Sequence, residues 1–211
     1  DLYPSTAIGI NLPNSNWVRA EHGSKSVTIA NLTHAYAESS KGNGMLDEFV
    51  YSDVEAEILR KYGSYTDDLH TDLHECLGHG SGKLLPGVDS EALKAYGSTI
   101  EEARADLFAL YYLADEKMVE LGLLPDAEAY KACYISQMQN GLLTQLVRIK
   151  LGDHIEEAHM RNRALIAHWA LAHSSGRGQD GKDVMELVQR DGKTYVRIND
   201  YEALRTLFGE L

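Results

Sequence analysis

Apolar residues recur at helical spacing along most of this chain. The recurrence, with its caps, predicts helices over about 26–39, 45–62, 66–78, 98–121, 126–150 and 154–173. Turn formers separate them at Gly42-Asn43-Gly44, Gly80-Ser81-Gly82, Pro86-Gly87, Leu124-Pro125 and Ser174-Ser175-Gly176. Residues 1–24 carry Pro4, Pro13 and Gly23 and read as irregular, turn-rich chain. Near the end, Val184 to Val188 and Thr194 to Ile198 alternate around Arg190-Asp191-Gly192-Lys193, and Asp-Gly in that setting is a hairpin signal. A short helix from Asp200 to Leu211 closes the chain. The predicted fold is mainly α, with a small β-hairpin near the C-terminus.

Composition narrows the class. A chain of 211 residues suits one domain and can bury a substantial core. Its net charge of −12 speaks against nucleic acid or an anionic membrane surface as partner. No apolar run approaches a membrane span, and no signal peptide is visible. Cys76 and Cys133 form no disulfide framework and point to a reducing, cytoplasmic compartment. The chain opens on Asp1 rather than Met, which suggests a piece of a longer protein.

The chemistry lies in His74-Glu75-Cys76-Leu77-Gly78-His79. Two histidines around a glutamate, with a downstream carboxylate, are the parts of a three-ligand zinc site whose fourth position stays open to water. In a chain of this composition the pattern arises by chance only ~0.03 times. Zinc proteases usually pair histidines at i and i+4. Here the second is at i+5, which on an ideal helix turns the rings roughly 140° apart. A one-residue π-bulge would bring them together, with Gly78 giving the backbone latitude. Thr66 reads as the N-cap of this helix, and Leu69, Leu73, Cys76 and Leu77 as its apolar stripe. His74, Glu75 and Gly78 then face the other way. His70 and His74 stand at the ideal i, i+4 spacing and form a rival pair. His70, however, borders the stripe and is followed by Thr71 rather than a glutamate.

A second acidic cluster follows at Glu101-Glu102-Ala103-Arg104-Ala105-Asp106. Ser98-Thr99-Ile100-Glu101 matches a capping box, which gives Glu101 a structural role and leaves Glu102 free. Glu102, Ala105, Asp106 and Ala109 share one face. Small alanines beside carboxylates suggest close approach of another helix. Glu102 fits as third ligand and Asp106 as the group that fixes a ligand histidine. A solvated acidic first turn is the plain alternative.

Residues 74–83 and 101–106 resemble the two signature motifs of the dipeptidyl peptidase III family. Flanking segments are similar too, at Gly9-Ile10-Asn11-Leu12-Pro13-Asn14 and Ala158-His159-Met160. The resemblance implies a zinc exopeptidase that removes dipeptides from the free N-terminus of short peptides. It makes His74, His79 and Glu102 the ligands of one zinc ion per chain and Glu75 the general base. Glu101 and Asp106 become the carboxylates around the ligands, and His159 the transition-state histidine. It also implies substrate contacts at Asn11, Asn14 and Arg163. Family members are two-lobed and longer, so residues 1–211 read as the zinc-binding catalytic lobe alone, with 1–24 as an irregular substrate-contact segment. The missing second lobe then becomes a partner. Two rivals stay open: a non-catalytic helical zinc-binding or interaction module, and a carboxylate-bridged two-metal bundle, which wants Glu-x-x-His pairs that this chain lacks.

Overall fold

Strand β1 (Gly9–Leu12) pairs antiparallel with β2 (Lys25–Thr28), and helix α1 (Asn16–His22) bridges the two. The computed structural model describes residues 8–13, 15–89 and 91–211. Over the described residues of 1–24, β1 and α1 stand where irregular chain was expected, and β2 stands where a helix start was expected at about 26. Its alternation is inverted. Asn11, Ser26 and Thr28 turn inward, while Ile10, Leu12 and Val27 are exposed. Helix α2 (Ala30–Ser40) follows and buries no residue; α3 (Met45–Phe49) is short.

The chain breaks at Val50, and Ser52 caps α4 (Asp53–Leu73) by accepting from the Glu55 amide. Asp53 and Glu55 in the first turn favour this start electrostatically. The two helices expected at 45–62 and 66–78 are therefore displaced. Thr66 is no cap: it is buried inside α4, and its hydroxyl donates to the Tyr62 carbonyl one turn back. Helix α4 runs straight into a π-helical turn, His74–His79.

Helix α5 (Gly97–Leu113) starts one residue before the expected capping box. It stops short of 121 because the Asp115 side chain accepts from the Lys117 amide and starts α6 (Glu116–Glu120). Helix α7 (Tyr130–Leu142) is buried on nearly every side, so it has no polar face to mark its period. It ends at Leu142, and a 3₁₀ segment, Thr144–Arg148, completes the stretch read as helix to 150. Helix α8 (Ala158–Ala172) is capped by Glu157, which accepts from the His159 and Met160 amides.

Strands β3 (Met185–Arg190) and β4 (Lys193–Ile198) form the expected hairpin. Asp191 and Gly192 take φ of 52° and 76° in the turn. Helix α9 (Tyr201–Glu210), capped by Asp200, closes the chain. Mainly α with a C-terminal hairpin is the observed class. The core lies where α4 and α8 pack on α7, with Tyr134, Ile135, Met138, Leu110, Leu113, Leu204 and Leu207 almost fully buried. It takes in Leu69 and Leu73, just before the π turn, and Ala103 and Ala109 of α5.

Candidate metal centre

The π turn does what the i+5 spacing requires. One extra residue per turn brings both imidazoles to the same side, with His74 Nε2 and His79 Nε2 3.0 Å apart. Glu102 Oε2, from α5, lies 3.2 Å from His74 Nε2 and 3.6 Å from His79 Nε2. Among the described residues His74, His79 and Glu102 form the one group of three or more His, Cys, Asp or Glu side chains placed to hold a metal ion.

Gly78 sets how near the π turn and α5 can come. A Cβ there would lie 2.6 Å from the Ala105 Cα and 2.7 Å from its Cβ. Ala105 is fully buried, as a close helix crossing requires. Gly78 is therefore needed for contact rather than for the backbone latitude expected of it: it is absent from the positive-φ residues.

Carboxylates hold the far nitrogen of each ring. Asp106 Oδ1 lies 2.6 Å from His74 Nδ1, and Glu101 Oε1 lies 2.9 Å from His79 Nδ1. If each Nδ1–H donates to its carboxylate, each Nε2 lone pair is left for the common point. Glu101 thus serves His79 and not the capping box. Arg104 donates to both of its oxygens, at 2.9 and 2.7 Å. Arg104 was missed from the sequence, although its i, i+3 spacing from Glu101 was visible.

The electrostatics suit a cation. Burial opposes charge on His74, but hydrogen bonds to Asp106 and Glu102 outweigh it and lift the pKa to about 10. Glu101 and Glu102 lift His79 to about 9, against burial. Burial would raise both glutamates, yet His79 and Arg104 hold Glu101 at about 2, and His74 and His79 hold Glu102 well below its usual range. Two ring nitrogens 3.0 Å apart cannot both carry protons aimed at each other. A shared cation removes that conflict.

Glu75 stands beside the group without joining it. Its carboxyl is buried, its Oε2 has no hydrogen-bond partner among the described residues, and burial raises its pKa. His159, at the start of α8, points Nε2 at Glu102 Oε2 across 3.3 Å, and its Nδ1 meets Glu157 Oε1 at 2.5 Å. His70 does not reach the common point. It is buried, with Nε2 3.6 Å from Asp106 Oδ1. Arg163 acts on Asp106 as a nearby positive charge, and its Nε is buried without a hydrogen-bond partner among the described residues. Asn11 is buried, and its Nδ2 donates to Ser24, Ser26 and the Glu75 carbonyl. Asn14 lies outside the described residues. Cys76 and Leu77, expected in the apolar stripe, are exposed, since the wider turn rotates them off the buried line of Leu69 and Leu73.

Two imidazoles and a carboxylate converging on one point, with a buried carboxyl alongside, are a set able to hold a metal ion. The pattern of Peptidase family M49 matches residues 4–93. Dipeptidyl peptidase 3 of Homo sapiens is 28% identical over 202 residues, covering 80% of this chain and 27% of the relative. The Nematostella vectensis dipeptidyl peptidase 3 is 36% identical over 77 residues, which is 36% of this chain and 10% of that protein. Among solved structures, dipeptidyl peptidase III of Caldithrix abyssi superposes with a TM-score of 0.65 at 23% identity, covering 96% of this chain and 35% of that one. Dipeptidyl-peptidase III from Corallococcus sp. strain EGB gives 0.62 at 24%, covering 96% and 34%. Residues 4–93 are thus similar to peptidase family M49, and the chain shares the fold of the dipeptidyl peptidase III structures. It spans about a quarter of the human relative's length and about a third of the solved chains'.

Proposed function

We propose that this chain is the zinc-bearing catalytic lobe of an exopeptidase that releases dipeptides from the free N-terminus of short peptides. The observation that carries the reading is the triangle of Nε2, Nε2 and Oε2 atoms with sides of 3.0, 3.2 and 3.6 Å. A tetrahedral ion with bonds of about 2.0–2.1 Å to nitrogen and oxygen has ligand edges of about 3.3 Å, so the residues present fit zinc. Glu102 Oε2 supports the fit, since it is buried and faces the Nε2 atoms of both histidines at 3.2 and 3.6 Å. His74, His79 and Glu102 would hold one ion per chain, while Asp106 and Glu101 keep the two rings in the ligating tautomer. When bound, zinc would acidify a water molecule and polarise the scissile carbonyl.

The rest falls to the chain's own groups. Glu75, whose basicity burial raises, takes a proton from the attacking water and passes it to the leaving amine. His159 donates from Nε2 to the carbonyl oxygen as negative charge builds there. Asn11 and Asn14 hold the substrate backbone, as the resemblance implies. Asn11 does so through Oδ1, which is buried without a hydrogen-bond partner among the described residues. Arg163 is assigned to the substrate side on the same resemblance. Short peptides with a free N-terminus and a second lobe of the full-length protein are the partners in this reading. No helix among the described residues is long and apolar enough to cross a membrane. The two free cysteines agree with a cytoplasmic site of action.

A non-catalytic zinc module has no use for a buried carboxyl that stands beside the ligands without joining them, and Glu75 is one. The test is hydrolysis of a dipeptidyl arylamide by the full-length protein and its Glu75→Gln variant. The variant should keep its zinc and lose activity by about 10²-fold or more, the scale of a general base. Turnover at the parent rate would contradict the role.

A further inference from the structure

The ribbon β1–β2 touches the π turn at one residue in three ways. The Glu75 carbonyl accepts from the Gly80 amide, as π-helical pairing demands. It also receives the Ser26 hydroxyl at 3.1 Å and the Asn11 side-chain amide at 3.3 Å. Asn11 and Ser26 are cross-strand partners, and the Asn11 amide also donates to the Ser26 oxygen at 2.8 Å. A carbonyl oxygen has two lone pairs, so this one is saturated. The third contact is with the side chain. A Cβ at residue 9 would lie 2.7 Å from Glu75 Oε1, 3.0 Å from Cγ and 3.1 Å from Cδ. The same period of two that turns Ile10 outward sets Gly9 over the carboxyl and Asn11 over the carbonyl.

Among the described residues no hydrogen bond fixes Glu75 Oε2. Its place is set by its own main chain and by the surface above it. We propose that the ribbon positions the general base: Ser26 anchors the Glu75 main chain, and the bare Cα of Gly9 sets how far the carboxyl extends. The proposal rests on Glu75 being the base. Gly9 and Ser26 are positioning residues, acting through Glu75.

The two sites make separable demands. At Gly9 the nearest atom is the free end of a flexible side chain, so an added methyl group can be accommodated by moving the carboxyl. Stability is then kept while the base is displaced, and a misplacement of about 1 Å can cost about 10²-fold in rate. At Ser26 the removed group is a hydrogen bond to the main chain, so loosening should extend through the π turn.

The experiment measures kcat, KM, zinc content and Tm of the full-length protein and its Gly9→Ala, Ser26→Ala and Ser26→Thr variants, with amide exchange over 74–80. Gly9→Ala should lower kcat by about 10²-fold. It should leave KM and zinc content unchanged and Tm within about 2 °C. Ser26→Ala should lower kcat by about 10-fold and speed exchange over 74–80, and Ser26→Thr, which keeps the hydroxyl, should restore both. Unchanged kcat in Gly9→Ala, or a loss confined to KM, overturns the proposal. A parent protein that cleaves no dipeptide sinks the functional reading instead. Exchange over 74–80 still tests the brace in that case, and an unmoved rate in Ser26→Ala overturns it.

Discussion

Ribbons β1–β2 and β3–β4 are both antiparallel pairs, yet they turn opposite chemistry inward. The first sets Asn11 and Ser26 against the π turn and leaves Ile10, Leu12 and Val27 in the open. The second buries Met185, Val196 and Ile198 against α7 and α8 and keeps Gln189 and Arg190 outside. One ribbon serves a site, and the other serves the core. The difference shows that burial area and functional weight are separately placed in this fold: the side of α4 facing α7 supplies stability, and its π-helical end supplies chemistry.

That division can be broken in three places. Met185→Ala empties a fully buried position and should cost about 2–5 kcal/mol in denaturant unfolding, with zinc affinity unchanged. A matching loss of zinc would mean that the hairpin and the site are one unit. Gly78→Ala drives a methyl group into the Ala105 backbone, which cannot yield as a side chain can. It should cost about 1–3 kcal/mol and weaken zinc binding as well, because both ligand segments meet there. A drop in stability alone would detach that crossing from the site. Asp106→Asn keeps the shape but changes the partner of His74, and should cost about 10–100-fold in zinc affinity with little change in stability. Parent-like affinity would show that the tautomer of His74 is set elsewhere.

The parts of the site that were legible are those whose spacing has one geometric solution. Histidines at i+5 with a glutamate between them need a π turn, and Glu102 with Asp106 need only one helical face. The hairpin was legible for a similar reason, since Asp191-Gly192 takes positive φ without strain. What failed was whatever a distant segment decides. Glu101 has the spacing of a capping residue, but His79 arrives from another element and takes its carboxyl. Thr66 has the look of a helix start, yet Ser52 with two acidic neighbours is the cap that forms. The first ribbon was unreadable because its apolar residues face out, which inverts the rule that the reading of periodicity depends on.

The claim beneath all of this is that His74, His79 and Glu102 grip a single ion. Metal analysis and X-ray absorption on the full-length protein and its Glu102→Ala variant test it most directly. The parent should hold one zinc per chain, with imidazole nitrogen and carboxylate oxygen at about 2.0–2.2 Å. The variant should lose affinity beyond the ~10–100-fold that an outer partner costs. A parent that binds no zinc, or a Glu102→Ala variant that binds it as tightly, would contradict the account.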